Sequence, residues 1–259
     1  MASFSEFVTA RTLQEAYELN QKKSSVIVAG NMWLRLCGLR RKTAIDLSAL
    51  GLDAIEETDE AFTIGAMASL RDVETHEGLR RAFGGAFAGA LSPIVGTQFR
   101  RTATVGGSVY ARFGFSDVSA LLLAMDADVL CYRRGEVPLR QFQSEPWDRD
   151  IVLGVRVRKG QRAATRSVRT NGTDIPTLVC AASMEEGKLR FVLGARPGRA
   201  MIACEGLLPD TDAQAFEAIA AGIPMGANRR AGEAYRRKVA PVLMARAVAA
   251  VCGEGGVRA

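Results

Sequence analysis

Apolar and polar positions recur along this chain with a changing period, and each change marks an element. From Thr12 to Asn20, Leu13, Ala16 and Leu19 fall on one helical face, and Thr12 with Glu15 offers a capping box. Val26-Ile27-Val28-Ala29 is a continuous apolar run that ends at Gly30-Asn31, the pattern of a strand buried on both faces. Met32 to Leu39 reads as helix and Thr43 to Leu47 as the next strand. Strand, glycine-containing turn, helix and strand make a small α/β unit, and ligands of such sheets sit where strands end.

Further along, Phe62 to Ala66 is a short strand, and Ser69 with Asp72 caps a helix through Glu74. Leu79 to Leu91 is alanine-rich and helical, weakened by about 1 kcal/mol at each of Gly84, Gly85 and Gly89. Those glycines match neither a P-loop nor G-x-G-x-x-G, so they permit close packing rather than bind phosphate. Asp117 stands just before the apolar run Val118 to Met125, which reads as a core helix, and there an aspartate is an N-cap or a hydroxyl acceptor. Val129 to Tyr132 and Ile151 to Val157 read as strands, the second half-exposed, with turns at Gly135 to Pro138 and Ser144 to Pro146. Thr177 to Met184 and Leu189 to Leu193 form a hairpin pattern across Glu185-Glu186-Gly187, followed by helices at Asp210 to Ala221 and Ala231 to Val251.

Composition narrows the function classes. With 259 residues and 48% hydrophobic content the chain can bury a large core, as one domain or a few smaller ones. No apolar run approaches the roughly 20 residues of a membrane span, and MASFSEFVTA has no signal-peptide pattern, so the expectation is a cytoplasmic protein without a membrane partner. Five scattered cysteines, no C-x-x-C and one histidine argue against a metal site or a disulfide framework. His76 and the absence of a nucleophile arrangement leave no catalytic side chain to name. The net charge of +6 comes with basic clusters such as Arg40-Arg41-Lys42, but no aromatic ladder or nucleic-acid motif accompanies them. Solvated or partner-facing surface is the expectation, with some charge available to an anionic dinucleotide.

The most informative stretch runs from Arg100 to Ala127. Its Gly106-Gly107 pair lets the backbone approach a ligand, and glycine amides can point at an anion. Alone, the pair is also what a tight turn feeding a core helix looks like. The wider sequence resembles the second flavin-binding segment of the FAD-binding medium subunit of molybdenum hydroxylases, the xanthine dehydrogenase and carbon monoxide dehydrogenase family. That family's pattern, A-T-x-G-G-N, S-P-x-x-D and A-L-D-A, is matched without a gap by Ala103 to Gly107, Asp117 and Ala124 to Ala127. Ser108 replaces the asparagine, Phe113-Gly114 the Ser-Pro pair, and Ala120 the helix proline.

What the resemblance implies is specific. Ile27, Val28, Ala29, Gly30, Asn31, Met32 and Trp33 correspond to the first flavin segment, and Thr104, Val105, Gly106, Gly107, Ser108 and Asp117 to the second. Ile94 and Val152 take apolar positions near the cofactor, though each also reads as an ordinary core residue. Arg166 stands nearest a family lysine ahead of Asp174-Ile175-Pro176, where a cation would stabilise the reduced flavin; the register admits a slip toward Arg169. Tyr235-Arg236-Arg237 resembles a structural motif of the family's C-terminal part.

The implied fold is α+β: a two-lobed FAD-binding domain over residues 1–159, with a small α/β lobe (about 1–52) and a mixed α+β lobe (53–159). A C-terminal domain of antiparallel sheet and helices, 160–259, follows. The implied function is electron transfer through FAD, with NAD or another acceptor. A molybdenum-binding large subunit and an iron–sulfur small subunit would carry the molybdenum cofactor and 2Fe-2S clusters. By the resemblance the chain would be a compact example of the family, similar to the short flavin subunits of bacterial purine hydroxylases and related selenium-associated enzymes. Two alternatives stand beside this. A stand-alone reductase acting on UDP-enolpyruvyl sugars lacks support because its Ser and Glu motifs are absent. A flavin-free scaffold or assembly subunit is kept open by Met32-Trp33 and Phe113-Gly114, bulky groups that could fill the pocket.

Overall fold

The computed structural model describes residues 1–253. Its first sheet is parallel, with β1 (Ser3–Thr9), β2 (Ser25–Val28) and β3 (Arg40–Asp46) in the order β1-β3-β2. Helix α1 (Leu13–Gln21) packs Ala16 against Ile45 and Leu47. Thr12 Oγ1 accepts from the Glu15 amide at 3.1 Å, while the Glu15 carboxylate accepts from the Arg11 amide, so the capping pair closes one residue earlier than a simple box. Strand β2 is not buried on both faces as its apolar run predicts. It is an edge strand, and Val26 and Ile27 are half-buried because a cavity lies along it. The expected helix from Met32 to Leu39 contracts to a 3-10 turn at Leu34–Leu36.

The second sheet is antiparallel, ordered β4-β5-β8-β6-β7 from β4 (Ile55–Glu57), β5 (Ala61–Gly65), β6 (Asp128–Cys131), β7 (Gly135–Pro138) and β8 (Val152–Arg158). Gly135 to Pro138, expected as a turn, pairs with β6 instead; its turn is the tighter Tyr132 to Arg134 connection. Around this sheet lie α2 (Leu70–Thr75), α3 (Glu77–Phe83), α4 (Ala86–Leu91), α5 (Thr97–Thr102), α6 (Val105–Tyr110), α7 (Asp117–Ala124) and α8 (Leu139–Ser144). The single helix expected from Leu79 to Leu91 breaks into α3 and α4, because Gly84 and Gly85 take φ of 60° and 80°.

The third sheet, ordered β12-β11-β10-β9, holds β9 (Arg162–Val168), β10 (Leu178–Glu185), β11 (Lys188–Gly194) and β12 (Met201–Leu207). It is covered on one face by α7 and on the other by α9 (Ala213–Gly222) and α10 (Glu233–Cys252). All eight residues of α7 are buried, which accounts for its unbroken apolar sequence. The arginine-rich stretch after Gln161 is the strand β9, in which small residues face the core and arginines face out. No described helix is long and apolar enough to cross a membrane.

Candidate functional site

A cavity of about 550 Å³ runs from the end of β2 to the loops around α5, α6 and α7, within the 300–1,000 Å³ typical of ligand sites. Its floor begins at Gly30. A Cβ there would sit 1.7 Å from the Thr102 carbonyl oxygen, so only glycine lets the end of β2 lie against the end of α5. Asn31 follows with φ of 55°, in the left-handed region. Among the described residues, the backbone N–H groups of Gly30, Asn31, Met32 and Trp33 donate to no protein acceptor, and all four residues line the cavity. Consecutive amides left free beside a concavity are an anion-binding arrangement.

The glycine pair works differently from its sequence expectation. Its amides do not point at an anion: Gly106 N donates to Ala66 O at 2.8 Å, and Gly107 N donates to Thr104 Oγ1 at 3.2 Å. The flanking Val105 and Ser108 amides donate to Ala68 O and Thr104 O. Thr104 therefore caps α6, and Val105 is buried behind the cavity rather than on it. A Cβ on Gly106 would approach Ala66 Cβ to 2.7 Å, so this glycine seats α6 on the end of β5. On Gly107 it would meet, among the described residues, only Thr104 Oγ1 within 4 Å, leaving the cavity side open.

Asp117 is the first residue of α7, and Ser116, not Asp117, caps the helix by accepting from the Ser119 amide. The Asp117 carboxylate is 5% exposed and accepts from Arg169 Nη2 at 2.5 Å. Arg169 also donates to Asp174 O at 2.6 Å and to Ser167 Oγ at 3.1 Å. Burial pushes the Asp117 carboxyl up, against the pull of Arg169.

Arg166 does not reach the cavity; it is exposed and donates to its neighbour's carbonyl, Thr165 O. Strand parity is the reason. Arg166 shares a face of β9 with Ala164, which packs toward α10, whereas Arg169 has the parity of Ala163, which packs toward α7. Arg169 lines the cavity in its place.

Of the remaining expected positions, Ile27, Ala29, Thr104, Ser108, Ile94 and Val152 line the cavity, and Val28 is buried behind it. Sequence reasoning missed Phe115, Tyr110, Trp147 and Arg149, which lie in loops or short helices without periodic signal. Met32, Trp33 and Phe113, the residues that could have filled the pocket, border it and leave it open. Phe113-Gly114 has a packing reason: a Cβ on residue 114 would sit 1.8 Å from Gly198 O.

Two buried thiols and the histidine lie away from the cavity lining. Burial pushes the Cys131 and Cys180 thiols up to about 12, so neither offers a thiolate at neutral pH. The single histidine, His76, accepts the Leu79 amide through Nδ1 at the start of α3.

Residues 2–157 match a family model described as the FAD-binding domain in molybdopterin dehydrogenase. Over 246 residues the chain is 25% identical to the protein YgfM of Escherichia coli K12, covering 93% of each. Among solved structures, it superposes with a TM-score of 0.86 on carbon monoxide dehydrogenase from Hydrogenophaga pseudoflava, in the form that lacks the Mo-pyranopterin moiety of its cofactor. There the identity is 21%, over 98% of this chain and 99% of the other. Quinoline 2-oxidoreductase from Pseudomonas putida 86 gives the same TM-score at 18% identity, over 97% of each chain. The matched span runs from β1 to β8 and takes in the free-amide loop and both glycine-bearing segments around the cavity, so the chain belongs to the FAD-binding domain family of the molybdopterin dehydrogenases.

Proposed function

We propose that this chain is the FAD-binding electron-transfer subunit of a multi-subunit molybdenum hydroxylase of the xanthine or purine dehydrogenase type. The observation that carries the reading is the run of free amides from Gly30 to Trp33 along a cavity of about 550 Å³, within the range of ligand and cofactor sites. FAD, the cofactor of the family, supplies chemistry that joins one-electron donors to two-electron acceptors. This chain's residues bind and orient. The amides of Gly30 to Trp33 would take the diphosphate, and Gly107 keeps the wall opposite clear. Arg169, held by Asp117 and by Asp174 O, would place a fixed guanidinium, its charge partly offset by Asp117, beside the ligand at the place expected of Arg166.

On this reading the FAD-binding part comprises lobes of about 1–52 and 53–159. The C-terminal part, 160–259, backs α7 and supplies Arg169; its residues 254–259 lie outside the described residues. A molybdenum-binding subunit would oxidise the substrate, an iron–sulfur subunit would relay electrons, and NAD or another acceptor would remove them. The test is the absorption spectrum of the purified chain before and after adding FAD. Flavin bands near one equivalent are the expected outcome. A colourless protein that ignores FAD, with partner subunits present as well, overturns the reading in favour of a flavin-free scaffold.

A further inference from the structure

Three aromatic rings meet at the cavity from two distant segments. Trp33 ends the free-amide run, and Phe113 and Phe115 flank Gly114 in the loop before α7. The two phenylalanine rings are stacked, 5.1 Å apart and 9° from parallel, and Trp33 closes on them at 5.7 and 5.3 Å with angles of 63° and 57°. All three are half-buried and all line the cavity. We infer that Trp33, Phe113 and Phe115 form a platform on which a planar heteroaromatic ring of the bound nucleotide stacks, an inference that rests on the FAD reading above.

The loop that carries the phenylalanines is held from behind, which distinguishes a platform from a loose plug. Gly114 O accepts from the Ala195 amide at 2.5 Å, and the 1.8 Å approach to Gly198 O forbids a side chain at 114. Before the loop, Arg112 takes φ of 51°, donates to Glu145 O and lies 4.4 Å over the Phe142 ring. After it, Ser116 N donates to Phe113 O at 3.0 Å, closing the turn. Aromatic faces fixed in this way lose little freedom when a ring stacks on them. Their position next to the amides of Gly30 to Trp33 suits a ligand in which a planar ring lies a short linker away from a diphosphate.

FAD has two such rings, isoalloxazine and adenine, and the platform chemistry is common to both. The experiment titrates the full chain with FAD, FMN and ADP, comparing wild type with the double variant Phe113→Leu/Phe115→Leu. Aromatic stacking on this scale corresponds to roughly tenfold in affinity. FAD is expected to bind about tenfold more weakly to the double variant. FMN weakens in parallel if the flavin stacks, ADP if the adenine does. Trp33→Leu, in the same ring cluster but on the other segment, is expected to weaken the same ligand and serves if the double variant does not fold. Wild type that binds FAD while both variants bind it equally well or more tightly overturns the stacking alone. Wild type that binds none of the three ligands overturns the FAD reading and the platform together.

Discussion

At Gly30, a single missing Cβ decides whether the site can exist. The residue lies 1.7 Å, Cβ to oxygen, from a backbone carbonyl that cannot swing away, so Gly30→Ala must push the end of β2 off α5 and misalign the amides that follow it. Retention of FAD through gel filtration is expected to fall by at least about tenfold in affinity for this variant. Unchanged retention would mean that the amide run is not what holds the ligand. Asp117 and Arg169 make a similar point about charge. A sequence reading offers Asp117 as a cap or a hydroxyl acceptor, yet one of its oxygens is committed to an arginine far along the chain. Arg236 is fully buried at the start of α10 and donates to Thr177 O, Gly226 O, Ala231 O and Asn228 Oδ1, which ties that helix to the entry of β10. Its neighbour Tyr235 is 48% exposed and makes no such tie.

Between elements, the junction of α2 and α5 has the clearest energetic consequence. Arg100, 6% exposed, donates to both oxygens of Glu74 at 2.7 and 3.2 Å and to Ile94 O at 3.0 Å, fixing the loop that leads to the cavity wall. Burial pushes the Glu74 carboxyl up, but the hydrogen bonds from Arg100 and Arg71 outweigh it and hold the carboxyl below its ordinary value of 4.5. A carboxyl depressed in the folded state contributes stability above the ordinary value, and loses it as the pH falls through the folded one. Glu74→Gln is expected to cost on the order of 3 kcal/mol near pH 7, because it leaves a buried guanidinium without its counter-charge. In urea titrations the gap between wild type and variant should narrow below pH 4.5. A gap that stays constant down to pH 3 would show that the pair contributes no charge-dependent stability.

Across the whole molecule, the cavity is assembled from parts that belong to separate sheets. Strand β2 comes from the first, Val152 from the second, and Arg169 and Asp174 from the connection between β9 and β10 of the third. An ion network on another surface ties the second sheet to the third. Asp126, with φ of 50°, accepts from Arg140, Arg158 and Arg190, and Glu205 accepts from Arg140 and Arg190. Exposed pairs of this kind contribute little individually. A ligand seated among the three sheets binds only the assembled state. FAD at a hundred times its dissociation constant should therefore add about 2.7 kcal/mol to stability, raising the unfolding midpoint by about 5–10 °C. Scanning fluorimetry with and without FAD measures this directly, and an unmoved midpoint at saturating FAD would be incompatible with a site built across the sheets.

Much of this was legible along the chain because it is local. The α1 cap, β5, the apolar α7, the β10–β11 hairpin and the long C-terminal helix follow from periodicity and turn chemistry within a few residues. The segments at Gly30 and Gly106 stand out for the same reason, since paired glycines and apolar runs are visible without neighbours. Strands β1, β4, β9 and β12 were not legible, because their residues become strand-like only when a partner supplies the ladder. The site's donors were decided in three dimensions. An amide is free or taken according to which distant carbonyl comes within reach: Ala66 O claims Gly106, and among the described residues no carbonyl claims Gly30 to Trp33. Whether Arg166 or Arg169 faces the cavity likewise depended on the parity of β9 against α7, a relation between surfaces that no single segment contains.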